Sequence, residues 1–162
     1  MNATMVGGNS FQLLPQYEES IQAIADEIDT ATDYVHIEFY ILVLDDTTKP
    51  VFDAMARAKE RGVTIRVLVD HLASVLNKPR TETLAFFEEH DIPFVGMLPL
   101  RPLKGQWQRP DMRNHRKLVV IDGRVGFCGS QNLIDSTYNN PKKMKRGLHW
   151  VDLNMRVERP VV

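Results

Sequence analysis

Apolar residues recur along the chain at two spacings, every three to four residues and every second residue. The first spacing predicts helices and the second predicts strands. Ile21, Ile24, Ala25 and Ile28 recur at helical spacing after Pro15, a residue suited to a helix start. Residues 34–44 alternate at the strand period. The same reading predicts strands at residues 11–14, 64–69 and 92–95 and helices at 50–61 and 81–90, the first of these helices ending at Gly62. Pro93 predicts an edge position for the strand that contains it.

The second half of the chain predicts three further strands. Residues 114–122 form one strand, the pair Asp122-Gly123 predicts a hairpin turn, and residues 125–128 return. A polar, irregular stretch at residues 134–149 then precedes a closing strand at 150–157. The order of elements predicts an α/β fold with a mixed, largely parallel β-sheet flanked by helices. The loop at residues 97–112 is long for a compact domain, and such loops are often functional.

Composition fits one domain over residues 1–162, with a core of about residues 9–160. The chain is 43% hydrophobic and 25% charged, and no apolar run is long enough to span a bilayer. The single cysteine, Cys128, excludes an internal disulfide and a cysteine metal cluster, and no metal or cofactor is expected.

The net charge of −1 gives no general support for nucleic-acid binding. Basic residues crowd residues 101–117, however, which leaves a solvated face and an anion-binding surface as equal alternatives.

Candidate chemistry concentrates on the strand at residues 114–122. His115 and Lys117 are two residues apart, so both side chains project from one face of a strand and can meet one phosphate. Asp122 is an odd number of positions away and points to the other face, which favours a structural role at the turn. Ser130 and Asn132 follow in a Gly-Ser-x-Asn loop and, with Lys117, can balance charge on phosphoryl oxygens.

The closing strand supplies one more candidate. Asp152 lies on the opposite face of this strand from its apolar residues. If the strand runs beside the motif strand, Asp152 can accept a hydrogen bond from Nδ1 of His115 and orient Nε2. Cleavage of a phosphodiester without a metal also needs a proton donor for the leaving oxygen. A histidine that has attacked phosphorus cannot supply that proton, so one essential group is missing.

The pattern His-x-Lys-x4-Asp-x6-Gly-Ser-x-Asn resembles the signature of the phospholipase D superfamily. It is carried by His115, Lys117, Asp122, Gly129, Ser130 and Asn132. Residues 114–124 are most similar to bacterial cardiolipin synthases, and residues 8–9, 36–40, 62–70 and 150–157 resemble earlier and later landmarks of that family. The resemblance places Asp122 in the site despite its strand parity and makes Asp152 the acidic partner of His115.

The resemblance implies one half of a bilobal phosphatidyltransferase. His115 would attack the phosphorus of phosphatidylglycerol, release glycerol and pass the phosphatidyl group to a second lipid, without a metal or cofactor. Three features differ from the family: the asparagine usually lies one residue later than Asn132, a second motif is absent, and N-terminal membrane helices are absent. The expected partners are a phospholipid substrate, a membrane surface, and either a missing C-terminal half or a homodimer mate.

These expectations place the chain at the cytoplasmic side of the cell membrane, as a peripheral fragment of a membrane enzyme. Two alternatives remain open. One is a single-motif phosphodiesterase or nuclease that completes its site by homodimerisation, although nucleic acid is the less expected partner. The other is an inactive half-domain that binds phosphate or lipid without turnover.

Overall fold

The computed structural model describes residues 7–77, 79–106, 108–138, 146–147 and 149–158. Its strands are β1 Ser10–Leu14, β2 Tyr34–Phe39, β3 Thr64–Asp70, β4 Phe94–Met97, β5 Lys117–Ile121, β6 Val125–Gly129 and β7 Asn154–Glu158. Its α-helices are α1 Tyr17–Asp29, α2 Lys49–Glu60, α3 His71–Leu76 and α4 Arg80–Glu89, and a short 3-10 helix covers Pro102–Lys104. None of the helices in these ranges is long and apolar enough to cross a membrane.

The seven strands in the described ranges form one sheet in the order β1-β7-β6-β5-β2-β3-β4. Strands β2, β3 and β4 are parallel to one another, whereas β5 is antiparallel to both β2 and β6, and β7 is antiparallel to both β6 and β1. The mixed α/β architecture is therefore confirmed. The expectation of a largely parallel sheet is wrong, because only the pairs β2–β3 and β3–β4 are parallel, and the hairpin after β5 reverses the chain.

One face of the sheet carries the core. Helices α1, α2 and α4 pack on this face through residues at helical spacing, such as Ile24, Met55 and Phe87. The strand residues below them alternate with polar or exposed neighbours. Those facing the helices are Val35, Ile37, Phe39, Ile65, Val67, Val69, Val119 and Ile121. Burial of these aliphatic side chains is the main source of stability for the fold.

The opposite face carries no helix in the described part of the chain. A row of side chains crosses all seven strands there: Leu13, Met155, Cys128, Leu118, Glu38, Leu68 and Val95, each paired with the next in the register. Part of this row, with His36 and Arg66, lines a groove of about 500 Å³. We call this surface the uncovered face.

Several predicted boundaries differ from the structure for local reasons. The strand predicted at residues 34–44 ends at Phe39, because residues 40–43 leave the sheet and bond to Leu133. Helix α3 was not predicted, although Asp70 caps its N-terminus by accepting a hydrogen bond from the amide of Ala73 (3.0 Å). The edge position predicted from Pro93 is confirmed for β4.

The last two predicted segments also need correction. The motif strand begins at Lys117 and not at residue 114, and the closing strand begins at Asn154 and not at residue 150. Residues 139–145, the centre of the predicted irregular stretch, lie outside the described residues. The predicted hairpin after β5 is confirmed, since Asp122 and Gly123 both adopt positive φ.

Candidate functional site

The candidate residues meet at one edge of the sheet, and the strand directions explain why. The parallel strands β2 and β3 end at this edge, β5 and β7 begin there, and β6 ends there. His115 comes two residues before Lys117, the first residue of β5, and Ser130 follows the last residue of β6. Residues far apart in sequence are thereby brought to one place.

His115 and Lys117 contact each other directly, as the two-residue spacing predicts. Nζ of Lys117 lies 2.8 Å from Nδ1 of His115 and donates to the main-chain oxygen of His115 at 2.8 Å. An ammonium group can only donate, so Nδ1 is the acceptor and the proton of the neutral ring lies on Nε2. Only 6% of Lys117 is exposed, whereas His115 is exposed. The pair therefore presents an imidazole to solvent and keeps its cation buried.

Tyr40 is a member of the site that sequence reasoning missed. Its ring centroid lies 4.4 Å from that of His115, and Nζ of Lys117 lies 5.4 Å from the Tyr40 centroid. An aromatic face attracts a nearby cation and packs against a neighbouring ring. The alternating pattern places Tyr40 inside the strand, but the structure shows that it is the first residue after β2, at the edge of the sheet where the site lies. The point at which β2 ends is the signal that would have identified it.

The electrostatics of the pair favour a neutral imidazole. Burial and the Lys117 cation lower the pKa of His115 below its ordinary value, with a smaller opposing effect from Asp70. Burial also lowers the pKa of Lys117, and Asp152 acts in the other direction. These effects favour the neutral form of His115 at a pH where an ordinary histidine is partly protonated.

Asp152 lies at the site edge but does not contact His115 in the way that strand pairing suggested. The hydroxyl of Ser130 donates to Oδ1 of Asp152 at 2.7 Å, and the amide of Leu153 donates to the Ser130 hydroxyl at 3.1 Å. The expected hydrogen bond from Nδ1 of His115 is absent between these described residues, because that nitrogen faces Lys117. The reason is topological: β7 pairs with β6 and not with β5.

Asn132 is buried, and its side chain is used by the protein itself. Its Oδ1 accepts from the amide of Ile41 (3.2 Å), and its Nδ2 donates to the hydroxyl of Tyr138 (3.1 Å). The Tyr17 hydroxyl donates to the main-chain oxygen of Ile134 (2.6 Å) beside it, and burial raises the pKa of Tyr17. In this arrangement Asn132 fixes the segment that carries Tyr40, and its polar groups are already occupied.

Asp122 lies at the far edge of the sheet, at the other end of β5 from His115. Its carboxylate accepts hydrogen bonds from the amides of Thr32 (2.9 Å), Asp33 (3.0 Å) and Tyr34 (2.8 Å). Burial acts to raise its pKa, but the bonds from these amides outweigh that effect, and the pKa is lowered overall. This position agrees with the structural role that strand parity favours, and it separates Asp122 from the other candidates.

The segment before β5 is held by groups on neighbouring strands. The Asn114 amide donates to the Glu38 carboxylate on β2, and Oδ1 of Asn114 accepts from the amide of Arg116 (3.2 Å). Arg113 donates to the main-chain oxygen of Leu98 (3.0 Å) and lies 3.5 Å from buried Asp70. These bonds fix the backbone on both sides of His115.

Gly129 explains the close approach of β6 to the start of β7. A Cβ atom at this position would lie 2.3 Å from the main-chain oxygen of Leu153. Only glycine fits there, and the amide of Ser130 can then donate to the same oxygen at 3.0 Å. The Gly-Ser pair thus brings Asp152 and Ser130 together. In the described ranges, no three His, Cys, Asp or Glu side chains converge as metal ligands.

Comparison with known protein families gives a match over most of the chain. A family model described as "Cardiolipin synthase, PLD-like domain" matches residues 24–144. Cardiolipin synthase A of Proteus mirabilis is 35% identical over 157 residues, which cover 96% of this chain and 32% of that protein. A cardiolipin synthase of Staphylococcus aureus is 29% identical over the same share of this chain. The chain therefore spans about a third of the length of these relatives.

Solved structures share the fold at low sequence identity. Nuc from Salmonella typhimurium, a phospholipase D family member, superposes with a TM-score of 0.64 at 17% identity, over 93% of this chain and 83% of its own. A phosphatidylserine synthase from Haemophilus influenzae gives a TM-score of 0.65 at 14% identity, over 92% of this chain and 33% of its own. With the family match over more than half of its length, the chain belongs to the phospholipase D-like family that includes the cardiolipin synthases.

Proposed function

We propose that this chain is the catalytic half of a phosphatidyltransferase that works through a phosphohistidine, with phosphatidylglycerol as donor. The observation that carries the proposal is the direct contact between His115 and Lys117, next to the Ser130–Asp152 pair. A nucleophile beside a cation is the arrangement that phosphoryl transfer requires. The cardiolipin synthase relatives support the choice of a phosphatidyl group as the group transferred.

In the first step, Nε2 of His115 attacks the phosphorus of the donor. The bond between phosphorus and nitrogen forms, the bond to the glycerol oxygen breaks, and the leaving oxygen takes a proton from an acid. In the second step, the hydroxyl of an acceptor lipid attacks the phosphorus, loses its proton to the group that acted as acid, and frees His115. Lys117 balances the negative charge on the non-bridging oxygens in both steps.

The resting contact must change before the attack. Nε2 carries the proton while Nδ1 accepts from Lys117, so the nitrogen that is free to reach solvent lacks a lone pair. A bound phosphate diester draws the Lys117 ammonium towards its own oxygens, because they carry a full negative charge. Nδ1 can then take the proton, and Nε2 becomes the nucleophile. Substrate binding thereby activates His115.

In the described part of the chain, none of the other histidines (His36, His71, His90 and His149) hydrogen-bonds to His115 or Lys117, so we place the acid for the leaving oxygen outside this site. His71 is buried and bonded to Arg101 (3.0 Å), and His36 lies on the uncovered face against Arg66 (2.8 Å). We propose a second histidine, supplied by another part of a longer protein or by a second copy of this chain. We also propose that the site works at the cytoplasmic side of the cell membrane, where its lipid substrates lie.

The covalent intermediate gives the decisive experiment. Incubation with phosphatidylglycerol carrying ³²P, followed by an alkaline denaturing quench, is expected to label the chain with a phosphoramidate that is stable in base and labile in acid. His115→Ala is expected to abolish the label, whereas His36→Ala, a histidine outside the site, is expected to keep it. Label that survives His115→Ala would contradict the assignment. Turnover of a nuclease substrate in place of lipid labelling would favour the phosphodiesterase alternative.

A further inference from the structure

Large apolar side chains exposed in the described part of the chain fall into two groups. One group lies on the uncovered face and consists of Phe11, Leu13, Val95 and Leu118. The other lies in α3 and in loops at the site edge and consists of Val75, Leu76, Leu103, Met112, Trp150, Val151 and Leu153. Exposed apolar groups concentrated at the edge of the sheet that carries His115 indicate an interaction surface.

Basic side chains are interspersed with the second group. Residues 98–116 carry five basic residues, of which Arg113 lies beside buried Asp70 and Arg109 pairs with Asp111. The other three, Arg101, Lys104 and Arg116, are exposed. We use the name loop rim for the set Leu76, Arg101, Leu103, Lys104, Met112 and Arg116. Its apolar members are 70% (Leu76), 102% (Leu103) and 58% (Met112) exposed, and Lys104 and Arg116 are exposed with them.

We propose that the loop rim docks this chain on an anionic lipid surface. The cations would face phosphate headgroups, and the aliphatic side chains would enter the boundary between headgroups and acyl chains. A surface with both kinds of group binds a membrane through apolar burial and electrostatic attraction together. The inference rests on the proposed function, because it identifies where the lipid substrate of His115 is presented.

Hydrogen bonds hold two segments of the loop rim at the same edge of the sheet as His115. Met112 lies three residues before His115, and the intervening Arg113 bonds to the main-chain oxygens of Leu98 (3.0 Å) and Arg109 (2.9 Å). Arg101 donates from Nε to His71 at 3.0 Å, which leaves its terminal nitrogens directed away from this partner. A bilayer bound to the loop rim therefore lies within reach of the phosphate-handling pair.

The exposed chemistry favours lipid over nucleic acid as the partner. Nucleic acids are bound mainly through cations on phosphates and aromatic rings on base faces, and exposed aliphatic side chains such as Leu76 and Leu103 add little to contacts with a phosphate backbone. A bilayer interface accepts both the leucines and the cations. Duplex DNA is therefore the competitor in the test and not the expected ligand.

Vesicle flotation with the full 162-residue chain tests the proposal. Binding is expected to vesicles of phosphatidylcholine that contain phosphatidylglycerol, to weaken as salt rises, and to be much weaker to phosphatidylcholine alone. The double variant Leu103→Ser/Lys104→Gln is expected to lower the affinity roughly ten-fold or more, since one cation near an anionic surface corresponds to about a five-fold effect and the lost apolar contact adds to it.

A matched control lies at the opposite edge of the sheet. Phe11→Ser/Lys59→Gln makes the same type of change on β1 and at the C-terminal end of α2 and is expected to leave binding unchanged. Both double variants are compared with the wild-type chain by thermal unfolding. Three results would overturn the proposed docking surface: an equal loss of vesicle binding in the two double variants, equal binding to neutral and anionic vesicles, or displacement of the vesicles by duplex DNA.

Vesicle binding and phosphohistidine labelling, measured on the same protein, distinguish the docking proposal from the proposed function. His115→Ala is expected to bind vesicles like the wild-type chain, because the loop rim is unchanged. If vesicles bind but no phosphohistidine forms, the docking surface stands and the proposed function fails. If a short-chain, water-soluble phosphatidylglycerol labels His115 while vesicles do not bind, the proposed function stands and the docking surface fails.

Discussion

At the scale of single residues, the site depends on a shared environment for two basic groups. Lys117 and His115 contact each other and the same Tyr40 ring. The ring attracts the ammonium while the ammonium disfavours protonation of the imidazole. Tyr40 in turn precedes Ile41, whose amide is held by Asn132. Asn132, a residue expected to bind phosphate, thus fixes the aromatic partner of His115 in this structure.

The charge of Lys117 has a measurable effect on His115. Lys117→Met is expected to raise the pKa of His115 towards its ordinary value, because a neighbouring cation that lowers this pKa is removed. The burial of His115 is unchanged in this variant, so its pKa is expected to stay below the ordinary histidine value. The pKa can be measured by following the imidazole proton resonances of His115 against pH, with assignment from His115→Gln. Lys59→Met, at the far edge of the sheet, is the control, and an unchanged pKa in Lys117→Met would contradict the electrostatic account.

At the scale of elements, Asp122 joins the end of β5 to the start of β2. Its carboxylate accepts from three successive amides, at residues 32–34, where the chain leaves α1 and enters β2. These amides belong to residues that come just before the part of β2 that pairs with β5. The carboxylate therefore accepts from donors that have no partner on β5. Asp122 therefore contributes to the site by holding β5 in register.

Replacement of Asp122 is expected to destabilise the fold. Asp122→Ala should lower the free energy of unfolding by about 2 kcal/mol at neutral pH, because hydrogen bonds to a charged acceptor are lost. The pKa of Asp122 is lowered in the folded state, so its stabilisation is present above the ordinary aspartate pKa and is lost as pH falls through the lowered value. The difference between wild type and variant in urea unfolding should therefore shrink in acid. Asp53→Ala, an exposed partner of Lys49, should change stability little.

The elements with strong periodicity were predictable from the sequence, and those set by long-range contacts were not. Helices α1 and α2 and the hairpin after β5 follow local signals, such as Ile21, Ile24 and Ile28 or the pair Asp122-Gly123. Residues 40–43 keep the apolar pattern of β2 but leave the sheet to bond with Leu133, which no local signal reveals. No local signal shows that β7 pairs with β6 and not with β5, and this pairing decides that Asp152 contacts Ser130 and not His115.

At the scale of the whole molecule, the proposed mechanism takes its nucleophile and its cation from this chain, and it assigns the acid for the leaving group to a source outside the described site. The chain alone, kept monomeric, is expected to complete little transfer, since the leaving glycerol oxygen needs a proton in the first step and the acceptor hydroxyl must lose one in the second. Size-exclusion chromatography combined with an assay of cardiolipin formation checks this expectation. Robust transfer by monomeric protein would contradict it, and transfer that rises with the square of chain concentration would identify a second copy as the donor.

The central place of β5 in the sheet has a consequence for folding. Strands β2, β3 and β4 pair with close sequence neighbours, whereas Asp122 must find Thr32, 90 residues earlier in the chain. Loop closure over such a distance costs entropy that local pairing does not, and high contact order slows folding. During synthesis, the parallel half of the sheet can form before β5 has left the ribosome. The candidate site is then completed late, when the strand that carries Lys117 pairs with β2 and the later strands β6 and β7 add beyond it.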